Sequence, residues 1–135
     1  MDYRSLNGIA LAYMGDAVYE QFIRERVIRR GATPHADVMH KAGVHYVNAG
    51  AQAAAVKSML EDLSEEEAGV VRRARNHKIA TKAKNADPVT YKWATAFEAL
   101  LGYLYLAGRN ERLEEIMLKA AEFTETNSGK HTSKD

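Results

Sequence analysis

The sequence predicts an all-α domain. Along most of the chain, apolar residues recur three and four positions apart, the spacing that places them on one face of a helix. Valine and isoleucine seldom alternate with polar residues, and proline occurs only at positions 34 and 88. A chain of 135 residues also has the size of one ordinary domain, large enough to bury a core.

The first half of the chain is predicted to form two or three helices. The first covers about residues 6–29. The next covers about residues 34–46, because Thr33 can cap its free amides and proline is tolerated in a first turn. The pattern breaks near residues 48–50 and resumes as an alanine-rich helix over about residues 51–63. The sequence leaves open whether these last two segments are one bent helix or two.

The second half carries clearer boundary signals. Residues 64–67 read Ser-Glu-Glu-Glu, a capping box that begins a fourth helix. Residues 85–88 read Asn-Ala-Asp-Pro, a loop before the most apolar helix, about residues 89–107. A last helix is predicted from Asn110 to about Phe123. Residues 124–135 are polar and without period, which predicts a disordered tail after one domain of residues 1–123.

Charge is unevenly distributed along the chain. The net charge is only +1, yet residues 68–86 hold six cations and no acid. One interpretation is a solvated helix face followed by a charged loop. The other is a surface for an anionic partner, and double-stranded RNA is recognised largely through its phosphates and 2′-hydroxyls. The predicted RNA-binding residues are Arg72, Arg73, Arg75, Lys78, Lys82 and Lys84.

Several classes of protein are excluded by absent features. The chain has no cysteine, hence no disulfide framework, thiolate metal site or cysteine nucleophile. It shows neither a secretory signal pattern nor an apolar run of the ~20 residues that span a bilayer, so we expect a cytoplasmic protein without a membrane partner. The histidines at positions 35, 40 and 45 would scatter around a helix, which disfavours a histidine metal site.

Two acids stand out because each lies in an otherwise apolar helix. Asp16 follows Gly15 within residues 11–20, and Glu98 is the sole acid of the helix over residues 89–107. Burying an unpaired charge is costly, so such acids usually have a partner. Each alone is readily explained as a structural ion pair. Facing each other across packed helices, the two carboxylates would make a plausible site for a hard divalent cation.

Together the two segments resemble the ribonuclease III family, and in particular its small bacterial branch, Mini-ribonuclease III. The family's Leu-Gly-Asp-Ala-Val motif is matched by residues 14–18, Met-Gly-Asp-Ala-Val. Its Phe-Glu-Ala-Leu-Ile-Gly motif is matched by residues 97–102, Phe-Glu-Ala-Leu-Leu-Gly. The resemblance extends over about residues 5–123. It implies a ribonuclease III-type helical endonuclease domain without the separate RNA-binding domain of larger members.

The resemblance also implies a mechanism and partners. Asp16 and Glu98 would be the catalytic, metal-binding residues, with Mg²⁺ as the cofactor and Mn²⁺ as a possible substitute. The substrate would be double-stranded RNA, in particular the precursor of large-subunit (23S) ribosomal RNA, cut to leave 5′-phosphate and 3′-hydroxyl ends. The protein would act as a homodimer whose first helices pack together, and a ribosomal protein is a candidate partner for presenting the substrate.

Three departures from the family pattern motivate an alternative. Larger members carry further acids at the positions that match Ile9, Ala12 and Thr95. Their loss implies fewer contacts to the metal and leaves the number of ions open. The alternative function is a non-catalytic RNA-binding or ribosome-associated protein that kept the fold and lost the reaction.

Overall fold

The computed structural model describes residues 6–77 and 87–132, with side chains as far as residue 128. Every regular element in these ranges is helical, which confirms the predicted all-α class. Six α-helices follow one another, with a short 3₁₀ helix, Leu60–Asp62, between the third and the fourth. Their bounds are α1 (Gly8–Gly31), α2 (Ala36–Val47), α3 (Ala49–Ser58), α4 (Glu65–Asn76), α5 (Pro88–Leu106) and α6 (Asn110–Thr132).

The segments around residues 34–46 and 51–63 form two helices rather than one bent helix, because Asn48 separates α2 from α3. Its backbone is extended, with φ −71° and ψ 158°, and its side-chain oxygen accepts the amide of Ala51 at 2.8 Å. This is the geometry of an N-cap residue. The start of α2 differs from the prediction by two residues, since the Thr33 hydroxyl accepts the amide of His35 at 3.2 Å in a turn that precedes the helix.

The boundaries of α4 and α5 follow the predicted chemistry. Ser64 and Glu67 form the reciprocal capping box, with the Ser64 amide donating to the Glu67 carboxylate at 2.9 Å and the Glu67 amide donating to the Ser64 hydroxyl at 3.1 Å. Asp87 caps α5 by accepting the amide of Thr90 at 3.0 Å. Beyond α5, Gly108 adopts φ +74°, a left-handed conformation that glycine reaches without steric cost.

The prediction for the C-terminus needs correction, because α6 does not end near Phe123 but continues to Thr132. Glu125 lies within the segment predicted to be disordered and contacts two other helices. Its carboxylate accepts a bidentate pair of bonds from Arg26 at 2.6 and 2.7 Å and a bond from the Tyr46 hydroxyl at 2.7 Å, and Arg30 lies 2.9 Å away. These contacts fix the end of α6 to α1 and α2.

The apolar helix α5 forms the centre of the domain. It packs against α1, α3, α4 and α6, which cover it from several sides. Although α5 is the most apolar helix, neither it nor any other helix in the described ranges is long and apolar enough to cross a membrane. Its fully buried residues are Ala96, Phe97, Ala99, Leu100, Leu101 and Leu104.

Candidate active site

The site begins at the crossing of α1 and α5, where the two backbones touch. Both contact points are glycines. A Cβ atom added to Gly15 would overlap the carbonyl oxygen of Glu98, and one added to Gly102 would overlap the carbonyl oxygen of Leu11. Larger residues would force the helices apart. This close approach brings Asp16, which follows Gly15, next to Glu98, which lies one turn before Gly102.

The Asp16 and Glu98 side chains interact directly. Burial and then the charge of the Asp16 carboxylate raise the pKa of Glu98 from its ordinary 4.5 to about 8. A hydrogen bond between the two carboxyl groups contributes in the same direction. Two carboxylates this close cannot easily both be ionised, so at neutral pH and without a cation Glu98 keeps its proton, and its O–H group donates a hydrogen bond to Asp16.

Gln52 on α3 is the third side chain of the site, and the sequence analysis missed it. It is 3% exposed and forms a side-chain hydrogen bond with Glu98 that lowers the pKa of that carboxyl. Because this contact favours the charged form, the Gln52 amide N–H group is the donor. A glutamine in an alanine-rich helix carries no local signal of such a role.

The two acids differ in exposure, which corrects one expectation. We expected both to be buried, but the Asp16 side chain is exposed to solvent and Glu98 is half-buried at the helix crossing. The pair therefore has one open side. A ligand can reach the carboxylates from solvent without any rearrangement of the core.

The family's other acidic positions carry no charge here. Ile9 is 43% exposed, whereas Ala12 and Thr95 are buried. Among the residues that the structure describes, no group of three or more His, Cys, Asp or Glu side chains converges on one point. Two adjacent carboxylates with an open side fit a divalent ion that keeps several of its waters, as Mg²⁺ does. Such an ion would take the place of the proton that Glu98 otherwise holds.

The basic segment is described only in part. Arg72 and Arg73 are exposed near the end of α4, whereas Arg75 is half-buried against Trp93. Lys78, Lys82 and Lys84 lie outside the described residues. The end of α4 packs on the start of α1, where a Cβ added to Gly8 would lie 2.8 Å from the Cα of Ala74. The described arginines therefore lie on a helix that contacts both helices of the carboxylate pair.

Two adjacent carboxylates and a basic helix end in one helical domain are groups that a metal-dependent nuclease can use, the first for a divalent ion and the second for phosphates. Comparison with known proteins agrees, because residues 9–109 match the Ribonuclease III domain. The chain is 51% identical to Mini-ribonuclease 3 of Enterococcus faecalis, over 86% of this chain and 89% of that protein. It is 49% identical to Mini-ribonuclease 3 of Symbiobacterium thermophilum, over 90% of this chain and 92% of that protein.

A solved structure supports the same conclusion. Protein FN1578 from Fusobacterium nucleatum superimposes with a TM-score of 0.80 at 32% identity, covering 90% of this chain and 96% of that one. The chain belongs to the ribonuclease III family, in its Mini-ribonuclease III branch. It is an endoribonuclease, so the interpretation as an enzyme is favoured over that of a non-catalytic RNA-binding protein.

Proposed function

We propose that Asp16 and Glu98 are the catalytic residues of a metal-dependent endoribonuclease that cleaves double-stranded RNA. The observation that carries this proposal is their direct interaction at the α1–α5 crossing, where burial and then the Asp16 carboxylate raise the pKa of Glu98 to about 8. A fold that needed α5 only for packing would gain stability from an uncharged residue at position 98. Keeping a carboxyl there is a cost that a catalytic role explains.

In this proposal the chain binds and orients the reacting groups. Asp16 and Glu98 would hold Mg²⁺, with Mn²⁺ as a substitute. When bound, the ion supplies an activated water and neutralises charge on the phosphate under attack. Gln52 holds the Glu98 carboxylate in place through its amide. Arg72, Arg73 and Arg75, together with Lys78, Lys82 and Lys84, hold the RNA backbone. The products would carry 5′-phosphate and 3′-hydroxyl ends, as the family resemblance implies.

The protein would act as a homodimer in which the α1 helices pack together. Supporting this, α1 exposes Ile9 at 43%, Tyr13 at 84% and Ile28 at 55%, an unusual set of apolar side chains for solvent. Beside Ile28, α1 and α2 enclose an apolar groove of about 250 Å³. Two copies would each provide an Asp16–Glu98 pair, and two such pairs could cut both strands. Tyr13→Asp should convert the dimer to a monomer in sedimentation experiments.

The substrate we propose is the precursor of 23S ribosomal RNA, with a ribosomal protein as a candidate for presenting it. Support comes from the resemblance to the Mini-ribonuclease III branch, which covers most of the chain. Processing of ribosomal RNA implies a cytoplasmic location for the enzyme.

Cleavage of a structured RNA duplex with Mg²⁺ tests the catalytic proposal. Asp16→Asn and Glu98→Gln should each abolish cutting while RNA binding persists, and Glu122→Gln, the same change at an exposed residue of α6, should cut like the parent. An inert parent that still binds RNA would favour the non-catalytic alternative. Full cutting by both site variants would refute the roles of Asp16 and Glu98.

Metal binding can be measured apart from activity. Titration of the parent with Mn²⁺ at pH 7 should release about one proton, because the ion displaces the one that Glu98 holds. The Glu98→Gln variant should bind the ion more weakly and release none. Equal binding by both proteins would place the ion elsewhere.

A further inference from the structure

Trp93, near the start of α5, is contacted by two cationic side chains from two other helices. The Lys57 ammonium of α3 lies 5.4 Å from the centroid of the indole ring, and the Arg75 guanidinium of α4 lies 5.0 Å from it. Both distances are within the range of cation–π attraction. We refer to Lys57, Trp93 and Arg75 together as the tryptophan cluster. It joins three helices at one point.

Neither cation of the tryptophan cluster is paired with an acid in the part of the chain that the structure describes. The Arg75 Nε–H group donates to the side-chain oxygen of Asn76 at 3.1 Å, which leaves its charge uncompensated. Several other arginines of the domain are paired: Arg26 with Glu125, Arg29 with Glu25 and Arg112 with Glu67. Two unpaired cations on one ring are thus a local concentration of positive charge.

The position of the tryptophan cluster follows from the pairing of α3 with α5. Gln52 of α3 contacts Glu98 of α5, and Lys57 contacts Trp93. The residue number rises on one helix as it falls on the other, so the helices run antiparallel with both contacts in the same register. Five residues separate the two contacts on each helix, about 7.5 Å along the axis. Measured along the helix axis alone, the cations therefore lie about 1.4 turns from Glu98 on the same helix pair.

We propose that Lys57 and Arg75, held on Trp93, bind an RNA backbone phosphate one or two nucleotides from the phosphodiester at Asp16 and Glu98. This inference rests on the proposed catalytic function and extends it to substrate binding. A strand that places one phosphodiester at the carboxylates carries its next phosphates a few ångströms further along. The carboxylates repel these phosphates, whereas the cations Lys57 and Arg75 attract them.

The ligand is the sugar–phosphate backbone rather than a base. Bases in a paired duplex are stacked and not available to an aromatic side chain, and here the indole face is contacted by cations. Lysine and arginine are the residues that bind phosphate oxygens without reading sequence. The tryptophan cluster should therefore affect affinity equally for duplexes of different sequence.

A purely structural role is the alternative interpretation. Cation–π contacts at partly exposed sites are modestly stabilising, enough to help hold α3 and α4 on α5. A structural role would change stability and leave RNA affinity and its salt dependence as they are. The two roles are therefore separable by experiment.

Trp93 is the only tryptophan of the chain, so its fluorescence reports on this point alone. The full-length parent, in EDTA to prevent cutting, is titrated with a short RNA duplex labelled for anisotropy. We expect the tryptophan emission to change saturably with the same midpoint as the anisotropy. Inorganic phosphate alone should cause no change at the same concentration. RNA binding without any change in emission would overturn the proposal.

Charge-removing variants give the second measurement. Lys57→Gln and Arg75→Gln should each weaken binding about three- to tenfold near 0.1 M salt and lower the log–log salt slope by about one. Lys57→Arg should bind like the parent. Lys41→Gln is the matched control, since this exposed lysine lies on α2, which packs on α1, α3 and α6. Circular dichroism verifies folding of each variant.

The outcomes separate this inference from the proposed function. A parent that neither binds nor cuts duplex RNA would refute both. A parent that cuts, with Lys57 and Arg75 variants that keep its affinity, KM and salt slope, would refute only the phosphate site. Raised KM with little change in kcat would support it, because the contact is made equally in the bound substrate and the transition state.

Discussion

Replacing Glu98 with glutamine should stabilise the protein, and the gain should grow with pH. Burial and then the nearby Asp16 carboxylate raise the pKa of Glu98 from 4.5 to about 8. The unfolded chain loses this proton near pH 4.5, whereas the folded protein keeps it until about pH 8. The free energy of unfolding of the parent therefore has its full value below pH 4.5. It falls as the pH rises above 4.5 and reaches its lowest value once the pH has passed about 8. Glutamine stays neutral and can donate the same hydrogen bond to Asp16.

The size of the effect follows from the two pKa values. Each pH unit between them costs about 1.4 kcal/mol, so the parent should be less stable than the variant by about 3 kcal/mol at pH 7 and about 5 kcal/mol at pH 9. At pH 4.5 the difference should fall below about 1 kcal/mol. For a chain of this length, 1 kcal/mol corresponds to about 3 °C in Tm. The Tm values should therefore differ by roughly 10 °C at pH 7 and 15 °C at pH 9.

Thermal unfolding in EDTA, followed by circular dichroism from pH 4.5 to 9, measures this difference. Glu122→Gln controls for the loss of one negative charge at an exposed position. Asp16→Asn should flatten the pH dependence of the parent, since it removes the charge that repels ionised Glu98. Equal Tm values for parent and Glu98→Gln at pH 9, or a difference that is largest at pH 4.5, would refute the reasoning.

Three further predictions concern the glycine crossing, Gln52 and the buried ion pair of α4. Gly15→Ala should lower the free energy of unfolding by about 3 kcal/mol or more, because its Cβ would overlap the backbone of α5. The control is Gly31→Ala, whose Cβ meets nothing within 4 Å, so this variant should be as stable as the parent or more stable. Urea denaturation of both variants measures the difference. Gln52→Leu removes a donor to Glu98 and should shift Mn²⁺ binding to higher pH by calorimetry; an unchanged profile would contradict the contact. Arg112→Leu leaves the carboxylate of Glu67, 1% exposed, unpaired and should cost about 3–5 kcal/mol at pH 7. Burial opposes ionisation of Glu67, but hydrogen bonds from Arg112 and Ser64 outweigh burial and lower the pKa of Glu67. The stability difference between parent and Arg112→Leu should therefore shrink as the pH falls below 4.5. A difference that stays constant with pH would contradict this role of the ion pair.

The sequence was sufficient for the helices and for the carboxylate pair. Local chemistry determines most helix boundaries, as the capping box at Ser64 and Glu67 shows. Gly15 and Gly102, which belong to the same two motifs as the acids, lie at the helix crossing. Helix boundaries depend on neighbours within one or two turns, which a single sequence displays, whereas the pairing of Asp16 with Glu98 was indicated by the two family motifs that contain them.

Features that depend on distant contacts were not predictable. Glu125 binds Arg26 across 99 positions of the chain, so composition alone could not show that the polar segment after Phe123 stays helical. Gln52 became part of the site only through the register of α3 on α5. The exposure of Asp16 was also missed, because the apolar residues of α1 are spread widely around the helix and do not define which side is open.

The contact between Gly15 and Gly102 joins the site to the framework of the fold, with a consequence for genetic screens. Random mutagenesis selected for lost cleavage should give two groups of alleles. Changes at the two glycines should yield insoluble or rapidly degraded protein, since the helices cannot close. Changes at Asp16 and Glu98 should accumulate as soluble, inactive protein. Immunoblotting of the null alleles would thus distinguish residues that position the site from residues that act in it.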